Sequence, residues 1–170
     1  MAEPVSLYKL IVLYMLDKTD FPLTKAQISD FILEKGYTNY FTLQSVFADL
    51  EEGQMVRVEA VRNCSYYSIT EAGAEALKYF HARIASSIRE EIDQYMQENK
   101  IQMHDEVSVL ADYYKNTTGD YSVRCVVKDK YSNPIDLTIT VPNEEHAKKA
   151  CRSWREHSQN IYQFILKELL

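Results

Sequence analysis

From Leu7 to Tyr14 the apolar side chains Leu7, Leu10, Ile11 and Tyr14 recur at helical spacing, and Val12, Leu13 and Leu16 widen the stripe almost all the way round. The pattern predicts a helix buried on several sides and begun at Pro4, since proline suits the first helical turn. Phe21-Pro22-Leu23 reads as extended, because proline disfavours helix at the residue before it. Thr24 with Gln27 three positions on is a capping-box signature. It starts a second helix with Ile28, Phe31 and Ile32 inward and Gly36 at its end. A Tyr37-Thr38-Asn39 turn leads to a third helix, 41–52, whose Leu43, Val46, Phe47 and Leu50 share one face and which Gly53 ends. The period then falls to two. Val56 and Val58 alternate with Arg57 and Glu59, then Tyr67 and Ile69 with Tyr66 and Ser68, giving a hairpin over 56–69 that turns around Arg62, Asn63 and Cys64. Thr70 caps the next helix, Glu71 suits its positive end, and Gly73 lets it lie close to the hairpin.

From Ala72 to about Asn99, Leu77, Phe80, Ile84, Ile88, Ile92 and Tyr95 or Met96 are spaced by three and four, which predicts one long amphipathic helix. Its seam suits the second half of the chain, the same helix of another subunit, or a mixture of both. His104-Asp105-Glu106 reads as a polar turn. Three strands follow: Val107 to Tyr113, Tyr121 to Val127 and Ile135 to Val141, joined by Asn116-Thr117-Thr118-Gly119-Asp120 and Ser132-Asn133-Pro134. Connections this short predict an antiparallel meander. Asn143 caps a final helix with Ala147, Cys151, Trp154, Ile161, Phe164 and Ile165 inward, long enough to cover one sheet face. The fold class is α+β.

Leu50-Glu51-Glu52-Gly53-Gln54-Met55-Val56 followed by Tyr67-Ser68-Ile69-Thr70-Glu71-Ala72-Gly73 resembles the heart of bacterial winged-helix transcriptional regulators. The whole chain is similar to a family of small prokaryotic proteins known only as domain of unknown function 4364. The resemblance implies a winged helix-turn-helix DNA-binding domain over 1–75. A long helix would join it to a three-stranded antiparallel sheet covered by helices over 76–170, for dimerisation or sensing. It further implies that helix 41–52 enters the DNA major groove and that the hairpin 56–69 is a wing on the backbone or minor groove.

On the third helix the outward arc holds Phe41, Gln44, Ser45, Ala48 and Glu52, flanked by Thr42 and Asp49. Gln44 suits the N6 and N7 edge of adenine, and Thr42 or Ser45 suits a phosphate or base edge. Lys25, Lys9, Arg57 and Arg62 are the compensating cations, with Tyr37, Asn39, Tyr40 and Asn63 as neutral contacts to phosphate or sugar. The expected DNA-binding set is thus Lys25, Asn39, Tyr40, Thr42, Gln44, Ser45, Arg57, Arg62 and Asn63. The plain alternative for each is an ordinary solvated surface residue. The arc has no arginine or lysine where such regulators frequently carry a basic residue.

Charge narrows the picture. The chain has 170 residues and a formal charge of −6, with a pI near 5.3, which disfavours coating nucleic acid by bulk electrostatics and demands a local contact with double-stranded DNA. It equally suits a competing class, a protein-interaction module that keeps the winged helix as a scaffold. Linking two such modules raises effective concentration, so a homodimer is expected. Cys64, Cys125 and Cys151 form no CxxC pair, and neither an N-terminal signal nor a long apolar run is present, so a cytoplasmic protein without membrane association is expected. Cys64 at the hairpin tip is an inert surface thiol or a redox switch; Cys125 and Cys151 are small core residues. With four glycines and four histidines, and no phosphate loop, HExxH or GxSxG, no catalytic residue, metal site or cofactor is expected. A ligand sensed by the second half would lie between sheet and helices near Trp154, and the effector, small molecule or protein, stays unidentified.

Overall fold

A computed structural model describes residues 4–61, 64–129 and 132–170. Among the described residues there are six α-helices, one 3₁₀ turn and two three-stranded antiparallel sheets. The chain divides into two compact units, one up to Met103 and one from His104 onward.

In the first unit α1 (Pro4–Asp17) is followed by β1 (Leu23–Thr24), α2 (Lys25–Glu34) and α3 (Tyr40–Glu52), then β2 (Val56–Val61), β3 (Cys64–Ile69), α4 (Glu71–Phe80) and α5 (Ser86–Ser108), whose residues from His104 on belong to the second unit. Every residue from Leu10 to Leu16 is buried, as the all-round apolar pattern of α1 demands. The capping box forms: Thr24 Oγ1 accepts from the Gln27 amide and Gln27 Oε1 accepts from the Thr24 amide. Each such bond satisfies an amide that the helix itself leaves unpaired, a contribution of about 1 kcal/mol. Gly36 ends α2 with φ +69°. Its amide donates to the Leu33 carbonyl and that of Tyr37 to Ile32, the Schellman pattern.

α3 ends at Glu52 with Gly53 as its C-cap, as expected, but the glycine is not the residue that turns left-handed. Gly53 has an ordinary helical φ of −74°, and the left-handed residue is Gln54, at φ +57°. The amides of Gln54 and Met55 donate to the Glu51 and Leu50 carbonyls, so the same closure forms one residue past the glycine. The sheet order is β1-β3-β2, with Val58 opposite Tyr67 and Val61 opposite Cys64. Cys64 is therefore a partly buried strand residue and not part of an exposed tip. Thr70 caps α4 by accepting from the Gly73 amide, and its hydroxyl donates to the Gln54 carbonyl at 2.7 Å.

The single long helix expected from Ala72 is two helices. A 3₁₀ turn, His81–Arg83, ends in Ile84 with extended dihedrals (φ −81°, ψ 121°), and Arg89 Nε donates to the Ile84 carbonyl that the break exposes. Ile84 itself is fully buried: the chain leaves the helix to insert this side chain, while Phe80 stays 41% exposed beneath the Arg83 guanidinium. The seam of α5 is used inside the first unit. Ile92, Met96 and Met103 join the core, with Ile88 and Tyr95 packed against it. Tyr14 donates to Asp93, Tyr37 to Glu91, and Gln27 Nε2 to the Met103 carbonyl. Asp105 and Glu106 are helical as well, so the polar turn expected there is absent and the first strand begins at Val109.

In the second unit β4 (Val109–Lys115), β5 (Tyr121–Val127) and β6 (Ile135–Val141) form the expected meander, and α6 (Glu144–Leu169) starts at Asn143, whose side chain accepts from the His146 amide. Val123, Cys125 and Ile135 face Ala147 and Trp154. Trp154 Nε1 donates to the Val126 carbonyl, which satisfies a buried indole N–H. The inward stripe steps through Ala147, Cys151, Trp154, Ser158, Ile161 and Ile165, leaving Phe164 on its flank, 64% exposed. Burial pushes the Cys125 thiol up to about 11.

Candidate nucleic-acid interface

Four buried side chains anchor α3: Leu43, Val46, Phe47 and Leu50 are each at most 2% exposed. Burying each is worth roughly 1.5–3 kcal/mol, which fixes the helix rotation and hence what points outward. Phe41 is 84% exposed; Ser45, Ala48 and Glu52 are exposed, and Thr42, Gln44 and Asp49 partly so. Spacing of three and four places Phe41, Gln44, Ser45 and Ala48 in one stripe. Tyr40 packs edge-on to Phe41 with ring centroids 5.8 Å apart.

Seven of the expected contact residues are among the described residues, and they divide into three groups. Thr42, Gln44 and Ser45 lie on the outer side of α3, with Tyr40 at its start. Asn39 is the N-cap: its Oδ1 accepts from the Thr42 amide at 2.9 Å, so this oxygen is occupied in positioning α3. Lys25 and Arg57 come from neighbouring elements. The Lys25 ammonium stands 5.2 Å from the centre of the Phe47 ring, a cation–π contact that sets it beside α3, and Arg57 projects from β2, opposite Ser68 and exposed. Arg62 and Asn63 lie outside the described residues.

Lys9 on α1 reaches the Asp49 carboxylate at 3.3 Å, so one of the acids flanking the stripe carries its own counter-ion. Glu51 and Glu52 remain at the C-terminal end of α3. Tyr67 packs on Phe47 from the sheet side, ring centroids 5.0 Å apart, and burial, with Glu51 adding to it, raises its pKa above the usual phenol value. The N-terminal half of α3 is thus neutral, polar and exposed, with cations alongside and acids at the far end. Such a surface offers hydrogen bonds and apolar contact to a ligand edge.

Among the described residues no group of three or more His, Cys, Asp or Glu is placed to hold a metal ion, and no helix is long and apolar enough to cross a membrane. Sequence reasoning missed the Lys9–Asp49 pair. The two residues are forty positions apart, and only the packing of α1 on α3 joins them.

These features define an α+β chain of two units whose first unit exposes a neutral helical stripe beside a hairpin. The chain belongs to the family described as Domain of unknown function (DUF4364), whose model matches residues 8–169. Neither a curated protein nor a solved structure matches it.

Proposed function

We propose that this chain is a DNA-binding transcriptional regulator whose first unit is a winged helix, with α3 lying in the major groove and the β2–β3 hairpin as the wing on the backbone or minor groove. The observation that carries the reading is α3: locked by four buried residues, it turns Phe41, Gln44, Ser45 and Ala48 outward beside the hairpin. Gln44 reads an adenine edge, Ser45 and Thr42 bond to base or phosphate oxygens, and Lys25 and Arg57 neutralise phosphates. Tyr40, Arg62 and Asn63 add contacts to phosphate and sugar. The protein works in the cytoplasm as a homodimer, because two linked modules gain from effective concentration what so few cations cannot supply singly. The second unit holds the dimer together or senses an effector. Fluorescence anisotropy of the full chain with duplex DNA at low salt tests this reading; absence of binding defeats it.

A second reading, a protein-interaction module without DNA binding, is favoured by the formal charge of −6 and by the 84% exposure of Phe41. Flow-through from a heparin column with a partner bound through Phe41 supports it.

A further inference from the structure

The outer stripe of α3 has a composition that restricts which bases it can read. Residues 36–48 contain no Asp, Glu, Lys, Arg or His, and α3 as a whole has no Lys or Arg. Guanine is read most often by the bidentate fork of arginine or by lysine, and neither is present on this helix. What the stripe does carry is an apolar contact at each end, Phe41 and Ala48, and an amide between them, Gln44. In the major groove the A·T pair alone presents a C5-methyl group, on thymine, together with the N6 donor and N7 acceptor of adenine that match an amide.

We infer that α3 selects A·T base pairs, with Phe41 and Ala48 packed on thymine C5-methyl groups and Gln44 bonded to an intervening adenine. The inference rests on the reading of α3 as the groove-borne helix. The spacing agrees with it: seven residues at about 1.5 Å rise place Phe41 and Ala48 roughly 10 Å apart along the helix, about three base-pair steps when the helix follows the groove. Phe41 is held for the purpose, since Tyr40 braces its ring edge-on and its own 84% exposure leaves it without a core role. A protein partner is the less favoured occupant. Protein hot spots are Trp, Tyr and Arg anchors packed together in desolvated pockets, whereas here the exposed Tyr40–Phe41 pair is followed along the stripe by an amide, a hydroxyl and a single methyl. The acids Glu51 and Glu52 in the last turn of α3 oppose phosphate there, which leaves the turns from Phe41 to Ala48, with Asp49 compensated by Lys9, to approach the bases.

The test uses the full chain and a pool of random duplexes, enriched over several rounds at low salt. The enriched sites should contain a run of about four A·T pairs. Replacing thymine by uracil in an enriched duplex removes only the methyl groups and should weaken wild-type binding roughly tenfold, the effect of withdrawing two buried methyls. Phe41→Ala should bind more weakly and lose about half of the logarithmic difference between thymine and uracil duplexes, Ala48 keeping its methyl contact, with its thermal midpoint unchanged. Enrichment of G·C-rich sites, or equal wild-type affinity for the two duplexes, overturns the inference while leaving DNA binding standing. If no duplex is enriched, the reading of α3 as a groove element falls, and the base preference with it.

Discussion

The Lys9 ammonium lies 3.3 Å from the Asp49 carboxylate and so binds α1 to the flank of α3. Both side chains are partly exposed, which limits the pair to a stability contribution of about 1 kcal/mol or less. Its larger effect is on the charge that a phosphate meets. Asp49→Asn removes an acid and releases Lys9, so it is expected to raise DNA affinity about three- to tenfold at low salt and to steepen the salt dependence by about one phosphate contact. Lys9→Ala should do the reverse. Anisotropy titrations at several salt concentrations check both signs.

Gly73 faces the carbonyl of Met55, and a Cβ at position 73 would stand 2.1 Å from that oxygen. Two effects of Gly73→Ala compete. Helix propensity favours alanine by about 1 kcal/mol, while the clash requires α4 to move off the end of the hairpin. Backbone cannot yield as a side chain tip does, so the clash wins. Urea denaturation should show a loss of more than about 2 kcal/mol. A gain in stability would mean that α4 does not approach β2 this closely.

Gln54 holds φ +57°, a conformation costly for a residue with a Cβ. Gln54→Gly removes that strain but loosens the unfolded chain. The net expectation is stabilisation by about 0.5–1 kcal/mol, read by urea denaturation. Gly53→Ala is not expected to reproduce it, because Gly53 already sits at an ordinary helical φ.

Alkaline pH should loosen α5 from α1 and α2. Burial first, then the hydrogen bond to Asp93, raises the pKa of Tyr14, and burial, then the bond to Glu91, raises that of Tyr37. A folded pKa above the unfolded one contributes stability that is fully present below the ordinary phenol value near 10 and disappears as pH rises through the folded value. Stability should therefore be flat on this account up to about pH 10 and fall beyond it. In Tyr14→Phe/Tyr37→Phe the starting stability is lower and the fall is shallower. Denaturant midpoints between neutral pH and pH 11 check this.

Local chemistry made much of this fold legible. Thr24 with Gln27, Thr70 and Asn143 each stand where a helix begins, because a cap is a bond between residues two or three apart. The strands 121–127 and 135–141 match their expected ends, since alternation and short turns are local too. The break at Ile84 was hidden: neither glycine nor proline marks it, and a three-residue 3₁₀ turn keeps Leu77, Ile84 and Ile88 at spacings that still read as one helix. The end of α3 at Glu52 was legible from Gly53, whereas the left-handed turn of Gln54 that completes it was not, because nothing in a glutamine announces a positive φ. Of the interface, the outward arc of α3 followed from its inward one, whereas the pairing of Lys9 with Asp49 and the placement of Lys25 over Phe47 depend on packing between helices that no local pattern encodes.

Whether α3 and the hairpin together hold a DNA duplex, as proposed, is decided by the salt-dependent affinity of the full chain for an enriched duplex, wild type against Gln44→Ala/Arg57→Ala. The double variant is expected to bind at least tenfold more weakly, with a plot of log affinity against log salt shallower by about one unit, the mark of one lost phosphate contact. Equal affinity and equal slope for the two proteins would contradict the proposal.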